Sequence, residues 1–299
     1  MQPVSHCFSK VKNDCVKFIK SQETTTEKFK SKDKMIKSFL IPICFWIAKK
    51  ADNKKPYFVG LAGGQGTGKT TISSLIKIIL EKYFKLNVFK ISIDDFYKTR
   101  KERIALSKKV HPMLLTRGVP GTHDMHWMRE TISSLRSGES CKVPVFSKGE
   151  DDRLHYEQVK YPPEILILEG WCWGARHVPD EELQCPINEL EAQRDSDLVW
   201  RRFVNQALAS DIYQECFATD LQVFLNAPNM EAIFRWRFQQ ESQLINGGHI
   251  MSQAEIRNFI MHYQRISDRM QKQSAADISV LLGDDHEVVQ IDNRFITKR

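Results

Sequence analysis

The twelve residues GLAGGQGTGKTT, Gly60 to Thr71, hold five glycines and end in a lysine and two threonines. They stand between an apolar run, YFVGLA, and a stretch with helical periodicity, TTISSLIKIILEKYF. Glycine loosens a chain, so this density at the mouth of a helix needs a compensating gain. The spacing satisfies G-x-x-x-x-G-K-[ST] through Gly63, Gly68, Lys69 and Thr70. A chain so spaced wraps its backbone N–H groups around phosphates along a path that a Cβ would block. The helix behind it adds unpaired N–H groups and a positive dipole end. Gly63, Gly64, Gln65, Gly66, Thr67, Gly68, Lys69, Thr70 and Thr71 are therefore the expected nucleotide-phosphate residues. Lys69 reaches for the β and γ phosphates, and Thr70 offers its hydroxyl to Mg²⁺. An ordinary glycine turn is the alternative, and the flanking strand and helix argue against it.

The rest of the chain alternates strand and helix patterns. VFKISI (Val88–Ile93), EILILE (Glu164–Glu169), LQVFLN (Leu221–Asn226) and DISVLL (Asp277–Leu282) read as strands, with EVVQI as an edge strand. EILILE is almost wholly apolar, as strands buried on both faces of a parallel sheet are. DMHWMRETISSLRSG reads as a helix with Asp124 as N-cap and Gly138 just past its end. Two further helices are expected over residues 229–244 and 252–273. Such alternation implies βαβ crossovers and a single three-layer α/β domain with a mainly parallel sheet. SFLIPICFWIA, Ser38 to Ala48, is too short for a membrane span and reads as a helix packed on the domain.

Charge separates the chain into two parts. Residues 1–55 hold thirteen lysines against five acids, or +8, so the remainder is +7 − 8 = −1. Residues 1–36 are expected to form a poorly packed, solvated extension, and residues 37–299 the main domain. Basicity confined to such an arm argues against nucleic acid as the main partner. The seven cysteines lack metal-ligand or disulfide-framework spacing, which points to a reducing compartment, most simply the cytosol.

Two strand ends carry chemistry. EILILE ends in Glu169, and a carboxylate at a strand tip beside the loop can hold Mg²⁺ directly or through water. The second strand runs into SIDDFYKTR, placing Asp94 and Asp95 where open α/β sheets bind ligands. Phosphoryl transfer to an alcohol benefits from a carboxylate that accepts the hydroxyl proton, and Asp94 is the candidate. A GTP-binding switch protein is disfavoured, because no N-K-x-D motif occurs. A motor ATPase is disfavoured too, because the strand ends in Glu-Gly rather than Asp-Glu.

GGQGTGKTT, SIDDFYKTR, HPMLLTRGVPGTHD, KVPVFSK and ILILEGWCWGAR occur in this order. Together they resemble the D-glycerate 3-kinase family, within the phosphoribulokinase, uridine kinase and pantothenate kinase group. The resemblance runs from about Phe39 to the C-terminus. It implies a P-loop NTPase fold with a helical lid over about residues 228–272. It implies Asp94 as base, Glu169 near Mg²⁺, and Arg117 to Asp124 lining the acceptor pocket. D-glycerate would need a cation for its carboxylate, which Arg117 supplies with two parallel hydrogen bonds. Tyr97, Arg100, His111 and His123 are further substrate candidates, each histidine having the alternative of a backbone-bonded structural role. The lid of related kinases brings arginines onto the transferring phosphate, here Arg235 or Arg237. Two residues apart on a helix, they face different ways, so one of them is expected at the site. Of Trp171 and Trp173, one is a candidate to shield the site from water, with core packing as the alternative.

The expectation is a cytoplasmic, Mg-ATP-dependent kinase acting on a small hydroxyl acceptor, D-glycerate foremost, without nucleic-acid or membrane partners. Pantothenate or a nucleoside is the alternative acceptor. An ATP-binding regulatory module with little turnover is the alternative class.

Overall fold

The computed structural model describes residues 2–23, 31–242 and 251–294. Among the described residues there are eight strands, β1 (Tyr57–Gly63), β2 (Val88–Ser92), β3 (Cys141–Ser147), β4 (Asp152–Val159), β5 (Ile165–Gly170), β6 (Leu221–Asn226), β7 (Ile278–Leu282) and β8 (Val288–Asn293). Six form one sheet in the order β2-β5-β1-β6-β7-β8, all parallel except β8, the antiparallel edge. The helices are α1 (Gln2–Gln22), α2 (Lys32–Met35), α3 (Ile41–Ala51), α4 (Lys69–Lys82), α5 (Arg100–Lys109), α6 (Met125–Arg136), α7 (Glu189–Arg194), α8 (Val199–Ala209), α9 (Asp211–Phe217), α10 (Met230–Ser242) and α11 (Gln253–Gln273).

Strand alternation builds the three layers. Tyr57, Val59 and Leu61 of β1 face one core with Ile165 and Ile167 of β5. Phe58 and Ala62 face the opposite core with Leu166 and Leu168. α1, α3 and α4 cover the first face, and α6, α9 and part of α11 cover the second. Both β1 and β5 are buried at every residue, which is why their sequences are apolar runs rather than alternating patterns. Asp124 caps α6 by accepting from the Trp127 N–H, and Gly138 follows at φ +75°. The apolar Ser38–Ala48 stretch packs as expected, and no described helix is long and apolar enough to cross a membrane. Residues 243–250 lie outside the described residues; the helical expectation over 229–244 runs into them and the lid span includes them.

Three local expectations need correction. The N-terminal segment is not poorly packed: Cys7, Phe8, Val11, Cys15 and Ile19 of α1 are buried in the first core, while Lys10, Lys17 and Lys20 face solvent. Its lysine count masks an apolar stripe at helical spacing. The second strand stops at Ser92, because the Ser92 hydroxyl accepts from the Asp94 N–H and turns the chain into a short 3-10 helix, Ile93–Phe96. Between α6 and β5 lies an antiparallel hairpin, β3–β4, absent from the strands expected above. β3 carries Pro144, which a strand pattern does not expect, and β4 is mostly exposed, so neither reads as a buried strand in sequence.

Candidate active site

β1, β2 and β5 lie side by side and end at one edge of the sheet. Their register sets Leu61 beside Glu169 and Glu169 beside Ser92. The glycine loop, Glu169 and Asp94 thus converge on one cavity of about 380 Å³. Open parallel sheets bind ligands at this place, beyond the carboxyl ends of the strands.

The loop depends on glycine at two points. Gly66 has φ +77°, and a Cβ there would stand 2.5 Å from the Trp236 Cβ of α10. Gly68 has φ +81° and starts α4. Thr67 donates to the Gly64 carbonyl at 2.8 Å, closing the turn from within. Lys69 curls back and donates to the carbonyls of Gly63 and Gly64, both at 2.8 Å. Burial lowers the Lys69 ammonium to about 8, against the opposing pull of Asp94 and Glu169. Gln65, Gly66, Gly68, Lys69, Thr70 and Thr71 line the cavity. Gly63, Gly64 and Thr67 form the buried floor of the turn.

Thr70 and Ser73, one turn apart on α4, present two hydroxyls to one carboxylate. Thr70 donates to Glu169 Oε1 at 3.0 Å and Ser73 to Oε2 at 2.6 Å. Glu169 is buried yet borders the cavity. This oxygen-only donor set suits a hard divalent cation.

Asp94 also opens onto the cavity, whereas Asp95 does not line it and accepts instead from the Phe146 N–H at 3.4 Å. Asp94 Oδ1 accepts from the Tyr97 hydroxyl at 2.6 Å, and Oδ2 from Lys148 at 2.8 Å. Burial pushes the Asp94 carboxyl up, but Lys148, the Tyr97 hydroxyl and Lys69 outweigh it and hold the group at about 2. Burial dominates at Asp95, which rises to about 6. Two adjacent aspartates are thus split into an ionised one on the cavity and a more readily protonated one beside it.

Arg117 lines the cavity, paired with Asp151 at the turn of the β3–β4 hairpin and bonded to the Lys148 carbonyl at 3.3 Å. Asp151 is held from behind by the buried Arg103 at 2.9 Å. Of the two α10 arginines, Arg237 reaches the cavity and pairs with Glu241 at 2.7 Å. Arg235 turns away to Asp284 at 2.6 Å and is corrected out of the site. Trp171 lines the cavity and donates to the Gly118 carbonyl at 2.9 Å, while Trp173 is core.

Three substrate candidates are also corrected. Arg100 is exposed at the start of α5 and does not line the cavity. His111 caps a short 3-10 helix, its Nδ1 accepting from the Met113 N–H at 3.2 Å, so the backbone-bonded alternative holds. His123 is buried behind Tyr97, its ring stacked on the tyrosine at a 4.9 Å centroid distance. Its Nδ1 lies 3.0 Å from the Tyr213 hydroxyl, and burial lowers its pKa to about 4. It supports Tyr97 rather than meeting a ligand.

Sequence reasoning missed Lys148, Phe259 and Tyr263 among the cavity residues, and Ser73 behind Glu169. Lys148 had a local signal, since SKGED is turn-like, but its reach to Asp94 is set by the hairpin. Tyr263 lies 169 positions from Asp94 in sequence numbering and enters through α11, donating to the Arg117 carbonyl at 2.7 Å.

A phosphate-cradling loop, a hydroxyl–carboxylate pair and an ionised strand-end aspartate in one cavity define a P-loop kinase. Comparison with known proteins agrees. The model of the phosphoribulokinase/uridine kinase family matches residues 58–176. The uncharacterized kinase mug58 of Schizosaccharomyces pombe is 32% identical over 226 residues, covering 70% of this chain and 79% of that protein. The chloroplastic D-glycerate 3-kinase of Arabidopsis thaliana is 27% identical over 256 residues, covering 75% of this chain and 52% of that protein. The solved D-glycerate 3-kinase from Cryptococcus neoformans shares the fold, with a TM-score of 0.69 at 22% identity over 84% of this chain and 97% of that one. The chain belongs to the phosphoribulokinase/uridine kinase family of P-loop kinases.

Proposed function

We propose that this kinase transfers the γ-phosphoryl group of ATP, with Mg²⁺, to the 3-hydroxyl of D-glycerate. The observation that carries the reading is the convergence of Lys69, Asp94 and Arg117 on one cavity, a phosphate side facing a carboxylate-binding side. The curated relative from Arabidopsis thaliana supports the choice of acceptor.

The residues present fit both ATP and Mg²⁺. The loop keeps its N–H cradle open through glycine at Gly66 and Gly68, and the Lys69 ammonium sits at its mouth on the Gly63 and Gly64 carbonyls. Thr70 and Glu169 would hold the cation. Bound Mg-ATP supplies the phosphoryl group and the charge that activates it. Asp94 receives the acceptor hydroxyl and orients its oxygen. A carboxylate held at about 2 is a weak base, which suits a loose transition state where the proton moves late. Lys69 and Arg237 face the charge that grows during transfer. Arg117 grips the glycerate carboxylate, which requires it to loosen its pairing with Asp151. Tyr97 positions Asp94, and Trp171 limits water at the acceptor side.

Residues 37–299 are taken as the kinase domain, with a lid over about 228–272, and α1 of the N-terminal segment contributes to its first core. Free cysteines throughout fit a reducing, cytoplasmic setting.

The test is ADP release with Mg-ATP against D-glycerate, L-glycerate, pantothenate and uridine. Turnover with D-glycerate alone is expected. Turnover with pantothenate or uridine instead would replace the acceptor, and ATP binding without turnover on any alcohol would make the protein a regulatory module.

A further inference from the structure

β2 carries a lysine on a face that is otherwise core. Side chains alternate along a strand, so Val88, Lys90 and Ser92 share one face. The register sets them beside Ile165, Ile167 and Glu169 of β5. Val88, Ile165 and Ile167 lie there in the first core with Ile72 and Ile76 of α4. Lys90 is half-buried on this face, and burial lowers its ammonium against the pull of Glu169. A charge in such a place needs partners that hold it.

Those partners are two hydroxyls of α4. Lys90 Nζ donates to Ser74 Oγ at 2.7 Å and to Ser73 Oγ at 3.1 Å. An ammonium only donates, so both oxygens accept and their own hydrogens point elsewhere. Ser74 gives its hydrogen to the Thr70 carbonyl at 2.7 Å. Ser73 has two acceptors in reach, that same carbonyl at 3.1 Å and Glu169 Oε2 at 2.6 Å. The carboxylate is nearer and charged, and the carbonyl already takes Ser74, so Glu169 wins. The hydrogen bonds therefore run one way, from Lys90 to Ser73 to Glu169. Oε2 is fixed from behind, and Oε1 is left to Thr70, which lines the kinase cavity. Neither Lys90 nor Ser73 lines it.

We propose that Lys90 is a positioning residue of the cation site, acting through Ser73 to hold Glu169 in place for the metal. The proposal rests on the reading that Thr70 and Glu169 bind Mg²⁺. Groups that hydrogen-bond a metal-ligating side chain set its orientation, and losing one costs about 10–100-fold in metal affinity or activity. Without Lys90 the Ser73 hydroxyl is free to turn to the Thr70 carbonyl, and Glu169 loses the donor on Oε2. The ammonium stands behind the carboxylate rather than in the cavity, so its repulsion of the cation is the smaller effect.

The experiment is a calorimetric titration of the full chain with a non-hydrolysable ATP analogue, with and without Mn²⁺ as the probe. Lys90→Met and Ser73→Ala are each expected to weaken binding of the Mn²⁺ complex by about tenfold, with the metal-free analogue held within about twofold. The double variant loses no more than the larger single loss, because both changes break one chain. A role in packing alone would lower the thermal midpoint and leave the metal dependence untouched. Unchanged affinity for the Mn²⁺ complex in either single variant overturns the proposal. So does tighter binding in Lys90→Met, or additive losses in the double variant. Ser73→Ala favours the helix and decides the matter if Lys90→Met does not fold. Glu169→Gln tests the site itself: an unchanged Mn²⁺ dependence there overturns the cation reading, and the proposal with it. A loss in Glu169→Gln with none in Lys90→Met or Ser73→Ala overturns the proposal alone.

Discussion

Asp94 is the residue on which the chemistry turns. Its folded pKa is depressed, so its favourable interactions are complete above the unfolded value near 3.8 and are lost only as pH falls toward about 2. Across the working range it stays ionised. Asp94→Asn is therefore expected to leave ATP affinity intact and to lower kcat by about three orders of magnitude, measured as ADP release beside nucleotide-binding calorimetry. Asp95→Asn keeps most activity. The reverse result, an active Asp94→Asn and a dead Asp95→Asn, would move the base by one position. Lys69 gives the opposite pH limb. Its ammonium is lowered to about 8, so it is charged below that value and loses charge above it. Because kcat/KM reports the free enzyme, kcat/KM for Mg-ATP should fall as pH rises through about 8. A flat profile to pH 9 would refute the role given to Lys69. The sequence put both groups at the site by motif spacing. It did not show that Lys148 reaches Asp94, the contact that most strongly holds the Asp94 carboxyl down.

At the scale of elements, α10 and the β3–β4 hairpin set what enters the cavity. Helical geometry alone says that Arg235 and Arg237 face apart, and the seating of α10 on the glycine loop selects Arg237. Arg237→Ala should lower kcat by about 10–100-fold, while Arg235→Ala stays within about twofold, since its exposed pair with Asp284 contributes little. Equal losses in both variants, by steady-state kinetics, would count against the lid assignment. The hairpin was illegible because β4 is mostly exposed and leaves no period-two apolar pattern, and β3 carries Pro144. The loop RGVPGTHD was legible as a special loop, but not which side chains it offers. Arg117 faces the cavity and His123 packs behind Tyr97, a division made by the neighbouring Tyr213 and Tyr263 rather than by local spacing.

For the whole molecule, α1 is part of the first core rather than an appendage. Ile19→Ala should cost about 3 kcal/mol of stability by urea unfolding, whereas Lys17→Ala on the solvent face should change it by less than about 0.5 kcal/mol. An unchanged unfolding midpoint for Ile19→Ala would return the segment to the status of an extension. Lysine content misled there because composition averages over helix faces, and burial depends on one stripe. What the sequence by itself determined was the glycine loop, the apolar central strands and the carboxylates at their ends. Each rests on local rules: glycine at positive φ, continuous apolar runs for strands buried on both faces, and strand-end positions for ligands. Only the tertiary structure decided which arginine and which aspartate face the cavity, that Lys148 reaches Asp94, and that Thr70 and Ser73 share Glu169. Those contacts join residues far apart in the chain. They depend on strand order, register and helix seating, which no local pattern encodes.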